Sequence, residues 1–278
     1  MTNQDKYSSF LDSCECTGNT RTVILTSSRA NPNAVPDTLS DYDIELYVND
    51  LAPFSEDDAW IEAFGSILIR WPLKPAATWS SEWLTRLIQF EDGIRFDLQI
   101  THKKPEYHGP FDAGYKILID KDRLGTSIAP ARFENLLIKK PSQEEFNDRI
   151  NAFLWDILYA AKSLKRNELF YAKFMMDSVI RFNSLQVFIE WYIGATHNWD
   201  VSTNKCGRWF KRYLSSNIWK HVESTFAGAQ IEDNWQTIFA AIDLVRLLCD
   251  TICDVTHCIY PLDQEKRVSA YIDKIRTS

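Results

Sequence analysis

No apolar stretch in the chain approaches the roughly 20 residues that cross a bilayer; the richest, such as 238–242, fall well short. A membrane span is therefore not expected. The opening residues, Met-Thr-Asn-Gln-Asp-Lys, have neither a basic start followed by an apolar core nor a small-residue cleavage site. They do not read as a secretion signal, and a cytoplasmic address is expected. Cysteine is scarce. Six thiols (Cys14, Cys16, Cys206, Cys249, Cys253 and Cys258) are too few to staple a chain of this size, and a reducing compartment keeps them free. A basic excess is missing too: 31 Lys and Arg stand against 38 Asp and Glu, a formal net charge of -7. That balance argues against a broad nucleic-acid surface and suits a small cationic substrate, although it equally serves plain solubility. No internal repeat, low-complexity tract or coiled-coil pattern is evident, so a monomer is the expectation.

What is there is globular: 278 residues, 45% apolar and 13% aromatic, enough to bury the core of two modest domains. The first half reads as α+β, with strand patterns at 22–26, 42–48, 66–70 and 95–100 that would form one mixed sheet. Between the first two strands, 30–40 is rich in Pro and Asn and lacks periodicity, the mark of a surface loop. Ser55-Glu-Asp-Asp58 offers a cap for a short helix over 57–64, and Asp92-Gly93 a tight turn into the last of the four strands. After Pro141 the pattern changes. Ser142 with Glu145 makes a capping box, and helical periodicity follows at 143–164, 166–194, 204–215, 217–226, 232–257 and 263–276, an all-α bundle. Cys249, Cys253 and Cys258, with His257 adjacent, have a spacing that zinc could tolerate. The sequence around them reads as a helix with its thiols on an apolar face, and core thiols are the preferred reading.

The features with chemical content lie in the first half. Ser27-Ser28-Arg29 follows one strand, Ser40-Asp41-Tyr42-Asp43-Ile44 opens the next, and Asp97 lies within Arg95-Phe-Asp-Leu-Gln-Ile100. Side chains alternate across a strand, so Asp41 and Asp43 share a face, and Asp97 on a neighbouring strand can complete a cluster. Three carboxylates suit the hard Mg²⁺ ion, which binds through a few oxygens plus substrate phosphates. On the residues alone, this metal-phosphate site and an exposed acidic strand face both remain open. Lys139 and Lys205 are flexible point charges that could reach a triphosphate, or plain surface lysines. Trp191, Tyr192 and Trp199, with Glu190 and Asp200, could hold a guanidinium-bearing sugar by cation–π contacts and ion pairs, or could be core.

The segments Ser27-Ser28-Arg29-Ala-Asn31, Asp41-Tyr42-Asp43-Ile44, Phe64-Gly65 and Phe90-Glu91-Asp92-Gly93 leading into Asp97-Leu98 resemble the aminoglycoside 6-adenylyltransferase family of the nucleotidyltransferase superfamily. Known members of that family modify streptomycin. The similarity continues through Leu118-Ile119-Asp120-Lys121-Asp122, Lys140-Pro141-Ser142, Glu145-Phe146, Asn167-Glu168, Trp191, Gly194 and Lys205, and so covers nearly the whole chain. The resemblance implies a nucleotidyltransferase-fold domain over 1–140, with a mixed sheet and flanking helices, and a helical substrate-binding domain over 141–278. ATP, Mg²⁺ and the antibiotic would lie in the cleft between them. The implied activity is transfer of AMP from ATP to a hydroxyl of an aminoglycoside, streptomycin first, which inactivates the antibiotic. Position by position, Asp41 and Asp43 match the metal-binding pair, and Asp97 the third carboxylate, a metal ligand or general base. A carboxylate beside Mg²⁺ can accept the proton of the attacking hydroxyl, which makes Asp97 the first choice of base; Glu168, near the start of a helix in the second domain, is the reserve or else a solvated or capping charge. Ser28 and Arg29 match the phosphate-contacting turn. Ser27 stands where the family has glycine, a residue that permits positive φ and close backbone approach. A lincosamide or another aminoglycoside as acceptor, and a nucleotide-binding relative without turnover, are the competing readings.

Overall fold

In Tyr-Asp-Ile-Glu-Leu-Tyr-Val the apolar and polar residues alternate through Leu46, and this segment forms β2 (Tyr42–Val48) of a six-stranded mixed sheet. Residues 3–74, 82–105 and 111–278 are described by the computed structural model. The other strands are β1 (Thr20–Leu25), β3 (Ile67–Trp71), β4 (Trp83–Phe90), β5 (Arg95–Thr101) and β6 (Lys116–Asp120), in the order β3-β4-β5-β2-β1-β6. β2 and β5 run parallel, and every other pairing is antiparallel. The expected Asp92-Gly93 turn links β4 to β5: Gly93 takes φ 92°, and the Phe90 N–H donates to the Ile94 carbonyl at 2.9 Å.

One face of this sheet is apolar. Tyr42, Ile44 and Leu46 of β2, with Phe96, Leu98 and Ile100 of β5, pack under Phe10 and Cys14 of α1 (Asn3–Cys16). The strand positions between them (Asp43, Glu45, Arg95, Asp97 and Gln99) belong to the opposite face, because successive side chains alternate. The short helix expected over 57–64 is present as α3 (Ala59–Glu62), and a further short helix, α2 (Ala52–Ser55), precedes it. The expected cap also differs. Asp58 precedes α3 without capping it by its side chain, because its buried carboxylate pairs with the fully buried Arg86 of β4. The Asp57 side chain accepts from the Ala59 N–H instead, at 2.8 Å.

The chain divides into two compact units, Met1–Asn135 and Leu136–Ser278. The second is helical: α4 (Gln143–Lys165), α5 (Leu169–Phe174), α6 (Gln186–Thr196), α7 (Phe210–Tyr213), α8 (Ser216–Glu223), α9 (Ile231–Thr256) and α10 (Leu262–Thr277). Ser142 and Glu145 close both hydrogen bonds of the capping box that starts α4, which satisfies two otherwise orphaned N–H donors. The expected helix over 166–194 starts later, at Leu169, because Asn167 turns to φ 61°, and its middle, Met175–Leu185, is π-helical. The expected helix over 204–215 is broken. Cys206 (φ 54°) and Gly207 (φ 70°) adopt left-handed conformations that no right-handed helix accommodates, leaving a 3₁₀ turn (Lys205–Gly207) and the single turn α7. Cys249 is buried on α9 among Leu244, Val245 and Ile252, and burial raises its thiol pKa strongly; Cys253 is half-buried and pushed up to about 11, chiefly by burial. No helix among the described residues is long and apolar enough to cross a membrane.

Candidate active site

The parallel pairing of β2 with β5 sets Asp43 directly opposite Asp97. Asp41 lies one residue before β2, half-buried rather than within the strand. The structure thus brings the three sequence-singled carboxylates to one place. Desolvation is the main reason that the Asp43 carboxyl is pushed up to about 6, with the charge of Asp97 next. Asp41 adds to the rise, while the Ser27 hydroxyl, hydrogen-bonded to Asp43, and Arg95 oppose it. Like charges held this close disfavour ionisation unless a cation intervenes.

Arg95 was not among the residues singled out, and it intervenes. Its Nε donates to Asp97 Oδ1 at 2.7 Å and its Nη2 to Asp97 Oδ2 at 2.9 Å, while Nε also stands 3.7 Å from Asp41 Oδ2. The signal was available: Arg95 is two residues before Asp97 on a strand, hence on the same face. Among the described residues no three His, Cys, Asp or Glu side chains stand ready-made for a metal, and the Arg95 fork engages both oxygens of Asp97.

The turn before the cluster is a 3₁₀ turn, Ser27–Arg29, at the end of β1. Ser27 adopts φ 58°, the left-handed region that glycine enters freely and other residues enter at a cost of about 1–2 kcal/mol. The serine therefore takes the backbone conformation that a glycine would, and adds a hydroxyl that reaches Asp43. Ser27→Gly is expected to be more stable than Ser27→Ala by about 1 kcal/mol, since alanine keeps the Cβ and loses the hydrogen bond. Chemical denaturation of both variants checks this, and equal stabilities would reject the left-handed assignment.

Arg29 is committed to the backbone. Its Nε donates to the Asp41 carbonyl at 3.0 Å and its Nη2 to the Ser40 carbonyl at 2.8 Å, and its guanidinium lies 3.9 Å over the Tyr42 ring. It shapes the loop that delivers Asp41. Ser28, on the same turn, is half-buried. A second cation missed in the sequence stands here: Lys116 Nζ donates to the Arg29 carbonyl at 2.8 Å. Its position on a short edge strand carries no pattern that would mark it.

Lys139 and Lys205 are exposed residues of the helical unit. Lys205 lies at the 3₁₀ turn capped by Asn204, whose Oδ1 accepts from the Lys205 N–H at 2.6 Å. Glu168 precedes α5 without capping it by its side chain. Trp191 is core, packed 6.1 Å from Phe146 and 5.6 Å from Phe188. Trp199 lies against Gly194, where a Cβ would come within 2.5 Å of the indole. Glu190 is raised by burial and accepts from Gln186 and Thr203.

Comparison with known proteins agrees with this layout. The family model for streptomycin adenylyltransferase matches residues 1–275. An aminoglycoside 6-adenylyltransferase of Bacillus subtilis (strain 168) is 29% identical over 280 residues, covering 99% of this chain and 98% of its own. One from Campylobacter jejuni is 30% identical (91% and 88% covered), and one from Staphylococcus aureus 28% (91% of each). The crystal structure of an aminoglycoside 6-adenyltransferase from Bacillus subtilis aligns over the full length of both chains, at 27% identity and a TM-score of 0.50. With a mixed sheet that seats paired carboxylates beside a short turn, and a family match running through both units, this chain belongs to the streptomycin adenylyltransferase family and is a nucleotidyltransferase.

Proposed function

We propose that the enzyme transfers AMP from ATP to a hydroxyl of an aminoglycoside, with streptomycin as its acceptor and Mg²⁺ as its metal, and so inactivates the antibiotic. The observation that carries the proposal is the register of Asp43 against Asp97, with Asp41 beside them and the Ser27–Arg29 turn within hydrogen-bond reach of Asp43. The all-oxygen donor set and the mutual repulsion of these carboxylates fit a hard divalent cation. Asp41, Asp43 and Asp97 would hold it, and bound Mg²⁺ would supply neutralisation of the triphosphate charge.

The chain's own residues do the rest. The turn at Ser27 and Ser28, kept in shape by Arg29 and Lys116, positions the phosphates, with Lys139 and Lys205 as further candidates for their charge. Asp97 accepts the proton of the acceptor hydroxyl as its oxygen attacks the α-phosphorus. The bond from that phosphorus to the oxygen bridging to the β-phosphorus breaks, and pyrophosphate leaves. We assign the acceptor's contacts to the helical domain, 141–278. Use of ATP fits a cytoplasmic setting. The glycine-like conformation of Ser27 supports an intact turn and so weighs against a relative without turnover.

Pyrophosphate release from ATP and Mg²⁺ with streptomycin, lincomycin and kanamycin in turn tests the reading. Release with streptomycin alone is expected. Release with lincomycin or kanamycin instead would move the acceptor, and no release with any of them would overturn the assignment.

A further inference from the structure

We infer that Arg95 is the built-in counter-cation of the carboxylate cluster: its fork holds Asp97 in an ion pair that a divalent cation has to displace, so this guanidinium sets the metal affinity of the site. The inference rests on the metal reading given above and adds to it a residue that acts against the metal.

The geometry is specific. Both Asp97 oxygens accept from Arg95, at 2.7 and 2.9 Å, and Asp41 lies within ion-pair distance of the same Nε. A planar fork matched to a carboxylate is the strongest form of side-chain ion pair. The two neighbouring cations are differently engaged, since Arg29 and Lys116 donate to main-chain carbonyls.

The pair is poorly suited to a purely structural role. Arg95 is 38% exposed and Asp97 18% exposed, and ion pairs at the surface contribute little to folding because water already solvates both partners. The guanidinium is already partly exposed, so leaving Asp97 requires no repacking of the core.

Mn²⁺ is the probe, because its free form is counted directly by electron paramagnetic resonance. Titration of the full chain at pH 8 compares the wild type with Arg95→Gln, Arg95→Lys and Asp43→Asn. Removing the competing charge should tighten Mn²⁺ binding in Arg95→Gln by about tenfold, as expected when one neighbouring unit charge is lost from a partly solvated cluster. Arg95→Lys, which keeps the charge and loses the fork, should fall between Arg95→Gln and the wild type. A merely structural role would leave the wild-type affinity unchanged or weaken it in Arg95→Gln, and either result overturns the inference. If the wild type binds Mn²⁺ and Asp43→Asn does not, the metal reading stands and the Arg95 comparison decides alone. If the wild type binds no Mn²⁺, the metal reading and the inference fall together.

Discussion

Asp43→Asn should lower pyrophosphate release from ATP and streptomycin by about a thousandfold or more, the scale of losing one preorganised charge contact at a reacting phosphate. The substitution preserves shape and removes the charge, and it should leave the protein folded. The sign of its effect on stability follows from the environment of Asp43. Burial and the charge of Asp97 push its carboxyl up to about 6, above the usual range near 3.9. Below the unfolded-state value both states bind the proton, and the shift has no effect. As pH rises from about 4 to about 6, the unfolded chain gives up this proton while the folded protein still holds it, which favours unfolding. An asparagine at this position avoids that cost, so the variant should gain stability relative to the wild type between about pH 4 and 6 and hold the gain above. A variant that keeps near-normal turnover would remove Asp43 from the reaction. One that is inactive but also markedly less stable at pH 8 would contradict the like-charge account.

How much of this was legible depends on how cleanly each segment shows its period. β2 was readable because every second residue from Tyr42 to Val48 is buried and apolar, and Asp43 stands out between them. The convergence of Asp43 with Asp97 was only an expectation until the parallel register placed them opposite each other, since a single sequence does not say which strands pair. α1 went unread although Tyr7, Phe10, Leu11 and Cys14 follow helical spacing; its polar remainder hides a short stripe. β4 was missed for a sharper reason. Its buried face runs Leu84, Arg86, Ile88, Phe90, and an arginine in an apolar row breaks the pattern that marks a strand. β6 is a short edge strand with little burial to impose alternation. The helical domain showed its long helices and hid its breaks. Cys206 and Asn167 adopt positive φ without being glycine, and the signals that were there, Gly207 beside the first and the asparagine itself at the second, are residue types that also occur inside helices.

That buried arginine is where the largest stability effect is expected. Arg86 is wholly buried, and its Nη2 pairs with Asp58, itself only 5% exposed, while its Nη1 donates to the Pro72 carbonyl at 2.7 Å. Arg70 of β3 binds the same aspartate and also Glu62 of α3, at 2.9 Å. One carboxylate thus ties α3, β3 and β4 together. Asp58→Ala would leave the Arg86 charge buried without its counter-ion, a change that typically costs about 3–5 kcal/mol. Arg86→Met should cost less, because the remaining Asp58 keeps a partly exposed partner in Arg70 and the apolar side chain fills the volume. The double variant should be more stable than Asp58→Ala alone, since its buried charge is gone. Urea denaturation of the three proteins, followed through the sheet's unfolding transition, measures the order; a double variant no more stable than Asp58→Ala would show that the cost is a cavity rather than an unpaired charge. The consequence reaches the site through register. β4 sets Leu87 opposite Asp97 and Gln89 opposite Arg95, so loosening β4 frees the strand that holds both members of the ion pair, although Asp58 belongs to no part of the carboxylate cluster.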